Sequence, residues 1–339
     1  MTSADEKKGL SENEGNEIVA KVSSAREKIA TELGKVIIGQ EEIIEEIIVA
    51  LFTKGHCLMT GVPGLGKTLL VKSIAKIFSL SFKRVQFTPD LMPADICGTE
   101  IVEEDQVSGK RNFSFVKGPI FANFVLADEI NRTPPKTQAA MLEAMGEKQV
   151  TAGGKTYQLE EPFFVLATQN PIELEGTYPL PEAQLDRFLF NVVLSYLPRE
   201  QEEKMVMNTT NPEVPKLNPL FTGDEIIKIQ ELVKEVPAPS NVISYAVRLT
   251  ASTRTLDGAP DYVERLVKWG AGSRASQALV LAGKARALLH GRYNVACEDI
   301  KALALPVLRH RIITNFHADA EGIKPEDIIK KLVSDIPES

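Results

Sequence analysis

The sequence predicts an α/β fold, a parallel sheet with helices on both faces, followed by an all-helical domain. Up to residue 194, short apolar segments alternate with helical patterns, and this alternation favours parallel strands joined by helices. Beyond residue 198 the apolar residues have only helical spacing. The length of 339 residues fits about two domains.

The first half contains the elements that such a sheet requires. Residues 17–53 have helical spacing with a break at Gly34–Gln40. The predicted helices are Glu41–Phe52, Thr68–Ser79 and Lys136–Met145. The predicted strands are Gly55–Thr60, Phe82–Thr88, Phe121–Asp128, Phe163–Thr168 and Phe188–Leu194.

Two predicted hairpins interrupt the alternation of strands and helices. Ile101–Val116 has strand-like ends around the polar turn Glu103–Arg111, and Gln149–Leu159 turns at Gly153–Gly154. We interpret both hairpins as insertions into the α/β core, because neither alternates with a helix as the sheet strands do.

The chain divides into three predicted segments. Residues 1–16 are polar and poor in apolar side chains, which predicts a disordered tail. The α/β domain spans 17–198, and the helical domain spans 199–339. A connector with Pro212, Pro215 and Pro219 precedes the predicted helices Gly223–Val236, Ser240–Ser252, Ser273–Arg292, Glu298–Thr314 and Lys324–Ile336.

Charge and composition restrict the class of function. The net charge is −7, whereas nucleic-acid binders usually carry a basic excess. The apolar runs are far shorter than the ~20 residues of a membrane span, and the N-terminus has no apolar signal-peptide core. The three cysteines are widely spaced, and the adjacent His56 and Cys57 have no second pair at metal-ligand spacing, which disfavours disulfides and zinc. We therefore expect a cytoplasmic protein.

A phosphate-binding loop follows the first predicted strand. Residues 61–68 match the pattern G-x-x-x-x-G-K-[ST] between a strand and a helix, and this context argues against a mere glycine-rich turn. Glycines let backbone amides surround phosphate oxygens, Lys67 reaches the β- and γ-phosphates, and the Thr68 hydroxyl binds Mg²⁺. The predicted ATP-binding residues here are Gly61, Val62, Pro63, Gly64, Leu65, Gly66, Lys67, Thr68 and Leu69.

A second nucleotide-binding element lies downstream, where the apolar segment Phe124–Ala127 ends in Asp128 and Glu129. Ligands of open parallel sheets bind at the carboxyl ends of the strands. Asp128 is suited to bind Mg²⁺, and Glu129 to polarise the attacking water. Alone, such a pair is also typical of a solvated strand end, but together with the phosphate loop it indicates a nucleotide site.

Three segments resemble the MoxR family of AAA+ ATPases. Asp128–Met145 is similar to the Walker B region of that family, and Ala167–Pro171 and Glu175–Phe188 are similar to two further motifs. The likeness extends from about Val36 to the C-terminus. It implies an AAA+ P-loop core with hairpin insertions, followed by an all-α lid domain.

The resemblance also implies roles for single residues. Asn170 corresponds to sensor 1, which orients water against the γ-phosphate, although an amide there can also cap the turn before Pro171. Arg187 corresponds to the arginine finger, which stabilises the transition state in a neighbouring subunit, although a surface pair with Asp186 is the alternative.

Two further assignments follow from the same comparison. Arg274 resembles sensor 2 at the start of a lid helix, a position where arginine is also common for structural reasons. Ile38 and Gly39 lie in a segment, Val36–Gln40, similar to the one that contacts adenine, and an inter-helix turn explains that segment almost as well.

The resemblance implies an ATPase that uses Mg²⁺ and works as a ring, by family analogy a hexamer, to remodel or mature a protein complex. A separate von Willebrand factor A domain protein is the implied partner, and the two hairpins are the implied contacts with the client protein. The alternatives are a nucleic-acid motor, which the acidic balance disfavours, and a nucleotide switch, which would not need the full hydrolytic set.

Overall fold

The computed structural model describes residues 21–22, 24–104, 111–170, 176–210, 215–256 and 258–338. Several predicted features lie outside these residues: the tail 1–16, the hairpin tip 105–110, Pro171, Glu175 and Pro212.

The described residues form helices and strands that are numbered here along the chain. The strands are β1 (Cys57–Gly61), β2 (Phe82–Gln86), β3 (Gly98–Glu104), β4 (Arg111–Lys117), β5 (Phe124–Asp128), β6 (Gln149–Ala152), β7 (Lys155–Gln158), β8 (Phe164–Gln169), β9 (Phe190–Leu194), β10 (Val267–Trp269) and β11 (Ile313–Thr314). The helices are α1 (Ala25–Leu33), α2 (Glu41–Phe52), α3 (Lys67–Ile77), α4 (Pro93–Cys97), α5 (Pro135–Glu147), α6 (Glu182–Leu185), α7 (Arg199–Thr209), α8 (Gly223–Glu235), α9 (Ser240–Ala251), α10 (Asp261–Leu266), α11 (Ser273–Leu289), α12 (Cys297–Leu308), α13 (Phe316–Glu321) and α14 (Pro325–Asp335).

Five strands form the central sheet, in the order β2-β5-β8-β1-β9. Every neighbouring pair in it is parallel. The carboxyl ends of β1, β5 and β8 therefore meet at one edge, which is the edge where parallel sheets bind ligands. The predicted parallel α/β sheet is confirmed.

Helices cover both faces of this sheet because its strands are apolar on both sides. On one face, Phe124, Leu126 and Leu166 pack with α2 and α3, and on the other face, Val125 and Val165 pack with α4 and α5. The first of these clusters continues into helices α8 to α12 of the second half.

An aromatic contact shows how closely the two halves pack. Phe221, which precedes α8, stacks on Phe78 at the end of α3 with ring centroids 5.5 Å apart. Phe78 in turn meets Phe52 edge to face at 6.0 Å. The second half is thus built onto the apolar side of α2 and α3, and the division at residue 198 stays a prediction.

The two hairpins form sheets of their own, as predicted. β3 pairs with β4 and β6 with β7, both antiparallel. Phe115 stacks on Tyr157 with centroids 4.1 Å apart, so the hairpins contact each other. Farther along the first hairpin, the cross-strand pair Val102 and Phe113 is exposed, with Phe113 74% accessible.

One predicted helix of the second half is longer than the observed helix. The expected helix Glu298–Thr314 ends at Leu308, and Ile313–Thr314 pairs instead with Val267–Trp269. Asn315 is the N-cap of α13, because its side chain accepts hydrogen bonds from two backbone amides of that helix. Ile312 is buried four residues after Leu308, a spacing compatible with a helix, and this spacing misled the prediction. The short helices α4, α6, α10 and α13 were missed.

His56 is buried at the start of β1. Its Nδ1 accepts a hydrogen bond from the Val165 amide at 3.0 Å, and its Nε2 lies 3.2 Å from the Met145 carbonyl oxygen. The neutral ring with a proton on Nε2 satisfies both contacts. Its role in the fold is to join β1, β8 and α5.

None of the helices within the described residues combines the length and the apolar character that crossing a bilayer demands.

Candidate nucleotide-binding site

The phosphate loop connects β1, which ends at Gly61, to α3, which begins at Lys67. Gly64 and Gly66 have φ values of +86° and +75°, a region that side chains other than glycine rarely adopt. A Cβ atom at either position would meet nothing within 4 Å. The loop therefore curves around open space in front of the N-terminus of α3, where backbone amides attract anions.

The remaining predicted loop residues surround this space. Val62 and Leu65 are half-buried, Pro63 is exposed, and Leu69 in the first turn of α3 is 43% accessible. Gly61 has no room for a side chain, because a Cβ there would lie 2.8 Å from Leu194. The loop is thus packed against β9 on one side and open on the other.

Lys67 lies close to both carboxylates of the second element. Its ammonium group donates a hydrogen bond to the Gly61 carbonyl. Burial lowers the pKa of Lys67, whereas Asp128 and Glu129 act in the opposite direction. The predicted phosphate lysine and the two predicted acidic residues therefore belong to one site.

Asp128 ends β5 with both carboxylate oxygens hydrogen-bonded. Oδ1 accepts the hydroxyl of Thr168 at 2.6 Å. Oδ2 accepts both Nε and Nη2 of Arg84, at 2.9 and 2.6 Å. Only 13% of the Asp128 side chain is accessible, so these contacts set its orientation.

Glu129 follows in a left-handed conformation, with φ +57° and ψ +49°. A bulky residue there is uncommon and marks a constrained turn. Its amide donates to the Thr168 hydroxyl at 2.8 Å. Its carboxylate accepts the side-chain amide of Gln86 at 2.9 Å and lies 3.3 Å from the guanidinium of Arg132. The turn directs Glu129 toward β2.

These residues fit a magnesium–triphosphate. Mg²⁺ prefers oxygen ligands, and it usually takes few from the protein and the rest from water and phosphate. Thr68, half-buried as the second residue of α3, and Asp128 are the residues that would hold it. The open glycine loop and the Lys67 ammonium suit the phosphates themselves.

Asn170 and Arg187 occupy different parts of this region. Asn170 is buried directly after β8, next to β5. Arg187 is exposed in the turn before β9, and its guanidinium donates to the Leu142 carbonyl of α5. Arg187 thus lies against α5, with its side chain exposed at the surface.

The alternative interpretation required Asp186 to pair with Arg187, but the two side chains do not pair. The Asp186 carboxylate instead accepts Arg311 at 2.7 Å and Arg274 at 3.3 Å. Arg274 is the second residue of α11 and is 62% accessible. The predicted sensor 2 residue therefore bridges the helical half to the turn that carries Arg187.

Ile38 and Gly39 lie in the connection between α1 and α2. Gly39 has φ +70°, and a Cβ there would collide with Gln201 of α7 at 1.9 Å. Leu197 lies 3.1 Å from the same point. The segment is packed against α7, whose residues the sequence analysis did not associate with the site.

The sequence analysis also missed Arg84, Gln86 and Thr168. Arg84 and Gln86 are two residues apart in β2, so their side chains lie on the same face of the sheet. Gln86 is the register partner of Asp128, so Asp128 lies on that face too. The available signal was a pair of polar residues two apart, Arg84 and Gln86, near the end of a predicted strand. Thr168 lay inside a quoted motif without an assigned role.

Comparison with known proteins identifies the family. Residues 56–190 match the ATPase family associated with various cellular activities (AAA), and residues 261–332 match the AAA lid domain. The chain is 41% identical to Chaperone MoxR1 of Mycobacterium tuberculosis over 314 residues, which are 91% of this chain and 81% of that protein. The chain belongs to the MoxR family of AAA+ ATPases.

Other MoxR-family similarities extend over most of the chain. Protein MoxR of Paracoccus denitrificans is 31% identical over 300 residues, 83% of this chain and 86% of that protein. The crystal structure of a candidate ATPase from Cytophaga hutchinsonii superimposes with a TM-score of 0.88 at 40% identity, covering 96% of this chain and 98% of that one. The resemblance to MoxR proteins and the AAA+ fold, an α/β P-loop core with a helical lid, are confirmed.

Proposed function

We propose that this chain hydrolyses ATP with Mg²⁺ at the interfaces of a homo-oligomeric ring, which by family analogy is a hexamer. The observation that carries the proposal is the meeting of Lys67, Asp128 and Glu129 beside an open glycine loop. Arg187 is exposed and turned toward α5, which supports a role in a neighbouring subunit rather than in its own.

In this proposal the side chains divide the work of phosphoryl transfer. Lys67 and the loop amides bind the phosphates, and Thr68 and Asp128 hold the metal, whose positive charge offsets the charge that develops on the phosphates. Glu129 orients the attacking water and accepts its proton. Asn170 aligns that water, Arg187 of the adjacent copy stabilises the transition state, and Arg274 senses nucleotide from the lid.

We further propose that hydrolysis drives chaperone-like remodelling of a protein client, together with a separate von Willebrand factor A domain protein. The chaperone name of the mycobacterial relative supports the first part. The exposed Val102 and Phe113 on the first hairpin support a contact with an unfolded or apolar client segment.

The assignment of Lys67 and Glu129 is tested by separating binding from hydrolysis. Lys67→Ala should abolish binding of a fluorescent ATP analogue. Glu129→Gln should keep that binding and lower ATP turnover about 10³-fold, because the base is lost. Lys72→Ala and Glu235→Gln, exposed positions on α3 and α8, are matched controls that should change neither quantity. Turnover that survives Glu129→Gln would contradict the proposed base.

Sharing of the site between subunits is tested by mixing two inactive variants. An equal mixture of Lys67→Ala and Arg187→Ala should recover up to about a quarter of wild-type turnover, since one interface in four would pair an intact loop with an intact finger. Arg199→Ala, which removes an exposed arginine of α7, should be active without mixing. Absence of recovery at every ratio would argue for an intramolecular site.

A further inference from the structure

Arg84 occupies the carboxylate oxygen of Asp128 that Thr168 leaves free. Its Nε and Nη2 both donate to Oδ2, and the Nη2 also donates to the Gln86 side-chain oxygen at 2.5 Å. Two charge-assisted donors on one oxygen form a strong and directional contact. In the protein alone, both oxygens of Asp128 therefore already have donors.

The strand register builds this contact. β2 is an edge strand, and Gln86 lies beside Asp128 while Arg84 lies beside Leu126. Arg84 thus stands two residues before Gln86 on the same face and reaches along the sheet to its carboxyl edge. The Arg84 side chain is 47% accessible, so water can hydrate the guanidinium when it leaves Asp128.

We propose that Arg84 is a positioning residue that competes with Mg²⁺ for Asp128. A cation bound at Oδ2 takes the lone pairs that the guanidinium now uses, and two positive charges at one oxygen repel each other. Direct binding of the metal to Oδ2 therefore requires Arg84 to turn away from Asp128. The inference rests on the proposed magnesium–ATP site and adds a residue that sets its metal requirement.

The contact also determines what should stay constant when Arg84 is removed. The side-chain nitrogen of Gln86 donates to Glu129, whereas its side-chain oxygen accepts from Arg84. The contact with Glu129 therefore does not depend on Arg84. Thr168 continues to hold Oδ1 of Asp128. The expected change is therefore in the metal concentration required, while Asp128 and Glu129 keep their other contacts.

The experiment is a Mg²⁺ titration of the binding of a fluorescent ATP analogue at fixed protein and nucleotide. Arg84→Ala should lower the midpoint for Mg²⁺ about three- to tenfold, the range expected for a partly exposed two-donor ion pair. Lys83→Ala is the matched control, because it removes the same charge from the neighbouring exposed position on the opposite face of β2. Its midpoint should stay close to the wild-type value.

A conservative variant separates competition from structural support. Arg84→Lys keeps the charge but loses the two-donor geometry, so its midpoint should fall between those of wild type and Arg84→Ala. If Arg84→Ala does not fold, Arg84→Lys alone decides the matter by a midpoint below that of wild type. An unchanged or raised midpoint would overturn the inference, and a raised one would mean that Arg84 is needed to orient Asp128.

The wild-type titration distinguishes this inference from the proposed function. If wild-type protein binds the analogue only with Mg²⁺ and neither Arg84 variant has a lower midpoint, the role of Arg84 is overturned and the proposed site is retained. Wild-type protein that binds no nucleotide at any Mg²⁺ concentration overturns the proposed site and this inference together.

Discussion

Two of the arginine–aspartate pairs among the described residues, Arg311–Asp186 and Arg84–Asp128, differ in their surroundings. The Arg311 side chain is 4% accessible and donates to Asp186 and to carbonyl oxygens of Asp186, Phe188, Leu189 and Val307. Arg84 is 47% accessible, and it donates to the side chains of Asp128 and Gln86. One guanidinium is enclosed by acceptors from the core and the lid, and the other meets two side chains at an open edge.

The difference separates a structural ion pair from an exchangeable one. A buried charge is costly to transfer from water, so removal of one partner leaves a large penalty in the folded state. An exposed pair contributes little to stability because water replaces either partner. The contact at Asp186 therefore holds the lid to the core, and the contact at Asp128 can change with the ligand.

The largest expected effect is on stability at Arg311. Arg311→Ala should lower the free energy of unfolding by about 4 kcal/mol, because it leaves several carbonyl groups without this donor and leaves Asp186 with Arg274 as its remaining arginine partner. Urea denaturation followed by circular dichroism measures this change.

Arg84→Ala provides the comparison on the same assay. It should cost less than about 1 kcal/mol, since the pair is partly exposed. Equal costs for Arg311→Ala and Arg84→Ala would remove the distinction between the two pairs.

In acid, His56 is expected to have an effect smaller than that at Arg311 but larger than that at Arg84. Burial lowers the pKa of His56 to about 4, so the folded state favours the neutral ring that its two backbone contacts require. The stabilisation is fully present above the unfolded pKa near 6.5 and is lost as the pH falls toward 4, by about 3 kcal/mol in total.

His56→Gln keeps one donor and one acceptor but does not titrate. Between pH 7 and pH 4, wild-type protein should therefore lose about 3 kcal/mol more stability than His56→Gln, as measured by urea denaturation at each pH. Parallel losses in the two proteins would show that His56 is not the group that responds to acid.

Much of the fold could be predicted from local sequence, and the reason is physical. The glycines and lysine of the phosphate loop are required at fixed spacing by the chemistry of phosphates. The alternation of strands with helices was clear because the central strands are buried on both faces and are therefore short apolar segments. The helix Glu41–Phe52 was predicted with its observed bounds.

Contacts between distant segments could not be predicted in the same way. Arg84 reaches Asp128 only because β2 and β5 are paired in one particular register, which no local pattern specifies. Arg311 lay inside the expected helix Glu298–Thr314, in the basic run Arg309–Arg311, and nothing in that run indicates burial against Asp186.

The position of Asp186 next to Arg187 has a mechanical consequence. Asp186 is held by two arginines of the helical lid, and a single peptide bond joins it to the exposed guanidinium beside α5. Under the proposed function, a tilt of the lid would move the turn that carries Arg187, the residue proposed to act in a neighbouring copy. In the proposed ring, the nucleotide state of one subunit would then have a path to the next that is only one backbone link long.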